Sequence, residues 1–138
     1  MRGMKTGILA LFACLAAGAA LSAQQPALDY EYFKAKVQPI FLTKRVGHAR
    51  CISCHGAGTP LRLQPLDPGA TTWTEEESQK NFAVIKRVAS AGAKSRLILH
   101  PLDENAGGDF YHSGGKHWAS QNDPEWLVLK AFVEGATK

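Results

Sequence analysis

Residues 51–55 read Cys-Ile-Ser-Cys-His. Two thiols three positions apart, followed at once by an imidazole, can serve three chemistries. Both thiols can add to the vinyl groups of a haem, with His55 beneath the iron as proximal ligand. The pair can supply half of a zinc site, completed by two more soft or imidazole donors. Or it can cycle between dithiol and disulfide at a helix start beside a sheet. The zinc reading lacks a second tight donor pair, because His100, His112 and His117 are not spaced as one. The redox reading lacks strands, since no strand pattern competes with the helical ones. Covalent haem is the preferred account, one haem c with Cys51 and Cys54 as thioether donors and His55 proximal. Gly56 then lets the chain leave close to the ring.

The context of the motif is an exported chain. Residues 1–23 place Arg2 and Lys5 ahead of an Ala- and Leu-rich run that ends in Ser22 and Ala23. That order is a secretory signal peptide, cleaved near Ala23, and its apolar run is short for a membrane span. The mature domain is therefore 24–138, with no transmembrane segment, in the periplasm or otherwise outside. Cys14 is a small apolar residue within the signal; "LFAC" comes too early for a lipoprotein box. The mature chain keeps only Cys51 and Cys54, in a compartment where thiols oxidise unless consumed. Without Arg2 and Lys5 it has 14 basic and 12 acidic residues, a net charge of +2. No basic run with interleaved aromatics is present, which argues against a nucleic-acid partner.

The elements that must position the motif read as all-α, about four helices with long loops. Asp29 can cap a first helix with Phe33, Val37, Ile40 and Phe41 on one face. Pro39 is expected to kink or break it, leaving a short turn to about Thr43. Pro65 and Pro68 exclude a regular helix after the motif, where Leu61, Leu63 and Leu66 suit extended chain. Thr74 and Glu77 form a capping box for the next helix, which buries Phe82, Ile85, Val88 and Ala89 and stops at Gly92. "KSRLILHPL" adds a turn or two ended by Pro101. The loop "DENAGGDFYHSGGKHWASQN" follows, too long to be structureless without a function. Asp123 caps the last helix, Pro124 opens it, and Trp126, Leu129, Phe132 and Val133 face inward.

"VQPIF" ahead of "CISCHGAG", then "LRLQPL", "SRLILHPL" and "DPEWLVLKAFVEGA", resemble the small single-haem cytochrome c domains of planctomycete and acidobacterial type. The resemblance covers most of residues 30–136, and its highly specific element is the Cys-x-x-Cys-His motif. It implies a fold similar to a class I cytochrome c around one covalent haem. It also implies single-electron transfer with periplasmic redox partner proteins rather than catalysis, or the role of a haem-bearing subunit in a larger complex. An open distal site, as in a haem enzyme or ligand sensor, is the alternative.

The chain departs from that group in its distal ligand. Many such domains place a methionine before the last helix, whereas the methionines here are Met1 and Met4 alone. A histidine is expected instead. His112 is favoured, for it sits where the distal ligand enters in the resembling group and has glycines on both sides. His100 and His117 are the alternatives; His100 can also cap its own helix. His48, just before Cys51, reads as a solvated loop residue. Phe110 and Tyr111 are expected to shield the ring, and Arg62 and Lys116 to meet the propionates. Trp73, Trp118 and Trp126 read as core or edge packing. A second imidazole in place of methionine should lower the reduction potential.

Overall fold

Asp29 opens the first helix through its side chain, which accepts from the Tyr32 N–H. In this computed structural model, which describes residues 26–138, the helix runs unbroken to Leu42. It comprises the stretches Tyr30–Tyr32, Phe33–Val37 and Gln38–Leu42, together α1. Of the kink or break expected at Pro39, the break does not occur. The middle stretch is π-helical, with the Gln38 N–H reaching the Phe33 carbonyl. Proline has no N–H to give and its ring crowds the carbonyl four residues back. A wider turn just ahead of it relieves that crowding and keeps the helix continuous. The expected signal peptide, with its cleavage point and Cys14, lies outside the described residues.

The motif itself folds as α2, Cys51–His55, which makes five helices among the described residues, against about four expected. α3, Glu75–Val88, begins with the expected capping box: Thr74 accepts from the Glu77 N–H while the Glu77 carboxylate accepts from the Thr74 N–H. Its buried face is rotated from the expected one. Ser78, Asn81, Ile85 and Ala89 are buried, and Phe82 and Val88 only partly so. The reason is Asn81, whose side-chain oxygen accepts from the Gln64 N–H at 2.7 Å and ties α3 to the extended 61–66 segment. A short 3-10 turn, Gly92–Lys94, leads into α4, Arg96–Leu99. α5, Pro124–Val133, starts where Asp123 accepts from the N–H groups of Glu125 and Trp126.

Helices α1, α3 and α5 meet in an aromatic cluster. Phe33 and Phe82 ring centres are 5.4 Å apart, Phe33 and Phe132 6.3 Å, and Phe82 and Phe132 6.4 Å. Among the described residues there is no strand, only an isolated bridge between Leu102 and Trp118. That bridge closes the base of the long loop. Asp103 donates to the Trp118 carbonyl, His117 to the Pro101 carbonyl, and Asp109 to the Leu99 carbonyl, at 2.8, 2.8 and 2.9 Å. The loop also contains a 3-10 turn, Glu104–Ala106. Its tightest point is Gly108, where a Cβ would fall 1.9 Å from the Leu102 carbonyl oxygen. No helix among the described residues is long and apolar enough to cross a membrane.

Candidate cofactor site

α2 is held by backbone and by one apolar anchor. Ile52 is buried in the core, and the Leu63 N–H donates to the His55 carbonyl at 2.9 Å. Gly56 permits this approach. A Cβ there would fall 2.9 Å from the Ile52 carbonyl oxygen and 3.4 Å from the Pro65 Cα. The chain that needs the room of Gly56 is thus its own 61–66 segment. Cys51 and Cys54 stand one turn apart on the same side of α2, as a three-residue separation requires. Both are free thiols, Cys51 half-buried and Cys54 exposed. Burial pushes the Cys51 thiol up, against the opposing pull of the Arg45 cation.

Both cysteines line a cavity of about 430 Å³ whose wall also includes His55, His100, His112 and His117. That volume lies in the range of small-molecule and cofactor sites, about 300–1,000 Å³. Leu61, Val88 and Leu97 supply apolar wall. The structure therefore gathers both thiols and every histidine proposed as a ligand around one space, although His112 is 57 positions beyond His55.

His55 and His112 share a geometry that the other histidines lack. Their ring centres are 6.2 Å apart and their planes differ by 17°. Two imidazoles on opposite sides of one metal, each bonded at about 2 Å, have ring centres about 6 Å apart. His55 Nδ1 lies 2.9 Å from the Leu61 carbonyl oxygen and 2.7 Å from Thr59 Oγ1. His112 Nδ1 lies 2.6 Å from the Gly115 carbonyl oxygen. A carbonyl only accepts, so both Nδ1 atoms carry the proton and both Nε2 atoms keep a lone pair. Metal-ligating histidines are commonly oriented in this way, by a backbone carbonyl on the other ring nitrogen. Burial pushes the His55 imidazolium down, which favours the neutral, ligating form; the Leu61 hydrogen bond opposes this and His112 adds to it.

The two alternatives are engaged differently. Arg96 Nη2 is 3.0 Å from His100 Nδ1, and an Asp109 carboxylate oxygen is 3.3 Å from the same nitrogen. Burial, then the Arg96 and His112 charges, push His100 down, and Asp109 partly offsets this. His117 has a buried Nδ1 without a hydrogen-bond partner. Burial first, then the charges of His48, Arg45, His112 and His55, push it down to about 4. His48 is half-buried rather than solvated, its ring centre 4.7 Å from that of His117.

Several supporting roles fall elsewhere than expected. Phe110 and Tyr111 do not cover the cavity; they are 86% and 64% exposed. Glycine-rich backbone on both sides leaves nothing to draw those rings inward. Lys116 donates to the His100 and Asp109 carbonyls, and Arg62 is exposed away from the cavity. The arginines on the cavity wall are Arg50, Arg87 and Arg96. Helical spacing held the clue for Arg87, one position before the apolar Val88 at the end of α3. The three indoles pack as expected, with Trp73 donating to the Gln64 carbonyl, Trp126 to the Ile98 carbonyl and Trp118 to Glu125.

A protein-only metal site is not assembled: among the described residues no three His, Cys, Asp or Glu side chains gather to hold an ion. No protein-family model matches the chain, and no curated protein or solved structure matches it either.

Proposed function

We propose that the chain is an exported monohaem c-type cytochrome domain, similar in fold to class I cytochromes c, that carries single electrons between periplasmic redox partners. One observation carries the reading: His55 and His112, each with Nδ1 on a backbone carbonyl, stand 6.2 Å apart at a cavity that also receives Cys51 and Cys54. The donor set fits a covalent haem. Cys51 and Cys54 would hold it through two thioethers, His55 would be the proximal ligand and His112 the distal one. When bound, haem supplies a one-electron ferric–ferrous couple.

The remaining roles belong to the chain. Leu61, Val88 and Leu97 exclude water from the wall, and Arg87 and Arg96 bring positive charge to a rim where carboxylates can sit. The carbonyls of Leu61 and Gly115 fix the two imidazoles in the tautomer that presents Nε2. Two imidazole ligands favour a potential below that of His–Met sites.

The exposure of Phe110 and Tyr111 favours a second reading, a haem enzyme or ligand sensor with an open distal position. Spectra separate the two. The mature chain is expected to be red after acidic organic extraction, and low-spin in both oxidation states. The His112→Ala variant is expected to lose the low-spin spectrum. A colourless, zinc-loaded chain overturns the haem reading. A low-spin His112→Ala variant with unchanged potential overturns the distal assignment. Rapid carbon monoxide binding by a high-spin wild type favours the open site.

A further inference from the structure

Arg45 lies outside the motif, yet three elements converge to hold it. Its side chain is 15% exposed, six positions ahead of Cys51. Its Nη1 is 3.8 Å from Cys51 Sγ. Its Nε and Nη2 pair with the Glu125 carboxylate at the start of α5. Its guanidinium lies over the Trp118 ring, 5.4 Å from the centroid, and the Trp118 N–H reaches the same Glu125 oxygen at 3.5 Å. A cation is therefore fixed against the sulfur that would carry the haem.

The pair is lopsided. Arg45 contacts the sulfur, whereas Glu125 lies on the other side of the guanidinium and is 33% exposed. Water screens the carboxylate more than the largely buried cation. The Arg45 charge acts on Cys51 more strongly than the Glu125 charge does, and it also reaches His117 on the cavity wall. An oxidised haem carries one more positive charge than a reduced one. A fixed cation beside its edge destabilises the oxidised state and raises the potential.

We propose that Arg45, clamped by Glu125 and Trp118, raises the reduction potential of the haem held at Cys51 and so offsets part of the lowering caused by two imidazole ligands. The inference rests on the haem reading above. Arg45 acts through its field, without touching iron or electron-transfer partner.

Midpoint titrations of the holoprotein test it. Arg45→Gln is expected to lower the potential and Glu125→Gln to raise it, each by a threefold to tenfold change in the reduction equilibrium, where tenfold is about 59 mV for one electron. Both variants should keep the wild-type low-spin spectrum. A merely structural role would move both potentials the same way, because either substitution would loosen the same clamp. Midpoints that move together, or stay put, overturn the inference. If Arg45→Gln fails to accumulate, Glu125→Gln decides alone: its potential rises or the inference falls. A chain without covalent haem overturns this inference and the reading beneath it, whereas haem with parallel shifts overturns this inference only.

Discussion

In one region of the molecule, the packed end, Phe33, Phe82 and Phe132 come from three helices and fill the space between them. In the other, the bonded end, His55, His112 and His117 border a cavity of about 430 Å³ on a helix of five residues and a glycine-rich loop. The first end is stabilised by apolar area, which is non-directional and tolerant of small shifts. The second is positioned by directional bonds: Leu63 to the His55 carbonyl, His117 to the Pro101 carbonyl, Asp103 to the Trp118 carbonyl. Such bonds contribute about 1 kcal/mol each to stability but fix direction closely. The packed end thus holds the fold, and the bonded end aims imidazoles. A side chain at one end should matter for stability and at the other for the direction in which an imidazole points.

Phe132→Ala probes that division most severely. Phe132 is fully buried and touches the rings of Tyr32, Phe33 and Phe82. Its truncation is expected to cost about 3–5 kcal/mol in urea unfolding. His112→Ala, in a chain without haem, should cost less than about 1 kcal/mol, since His112 is half-buried and bonded only to the Gly115 carbonyl. Comparable losses from the two variants would erase the distinction between the ends.

Gly108→Ala tests the directional bonds at the base of the loop. The new methyl would fall 1.9 Å from the Leu102 carbonyl oxygen, so backbone must move. The expected loss is about 1–3 kcal/mol, together with displacement of His112 and, on the proposed haem reading, a change in the low-spin spectrum. Unchanged spectra would show that the loop is aimed from elsewhere.

These two kinds of order were not equally legible in the sequence. The packed end was: the Thr74–Glu77 and Asp123 caps and the inward residues of α5 are local signals, complete within four residues or one helical period. The Cys-x-x-Cys-His motif was also local. What escaped was order made between distant segments. Asn81 turns α3 because it bonds to Gln64, and Arg45 finds Glu125 eighty positions away. No periodicity announces either pair. The loop looked open because glycine reports freedom, while its base is tied by backbone bonds that any residue can make. Phe110 and Tyr111 looked inward because aromatics usually are, yet nothing adjacent pulls them in. Pro39 showed a lost hydrogen bond in advance, but not whether the helix would break or widen.

The smallest expected effect separates the two ends by pH. In the Cys51→Ser, Cys54→Ser variant, which has no thiol for a covalent cofactor, His117 is held down to about 4, first by burial. Between about 6.5 and 4 the unfolded imidazole takes a proton and the folded one does not. Stability from this group is therefore full above about 6.5 and is lost as pH falls toward 4. Partial exposure of the ring trims the effect to about 1 kcal/mol. His55 and His100, also pushed down, add to the same acid limb. At the packed end the sign reverses. Burial, with the Glu75 hydrogen bond, raises Tyr30 to about 12. The folded tyrosine keeps its proton above pH 10 while the unfolded one loses it, so this contribution fades as pH rises from about 10 toward 12. Glu75, held down by the Tyr30 and Lys34 hydrogen bonds, adds its own loss as pH falls past 4.5, at the acid end of the His117 window. Above pH 4.5, His117→Gln should therefore flatten the acid limb and leave the alkaline one, and Tyr30→Phe should do the reverse. If either variant moves both limbs, the two ends unfold as one electrostatic unit, and the division between packed end and bonded end does not extend to protons.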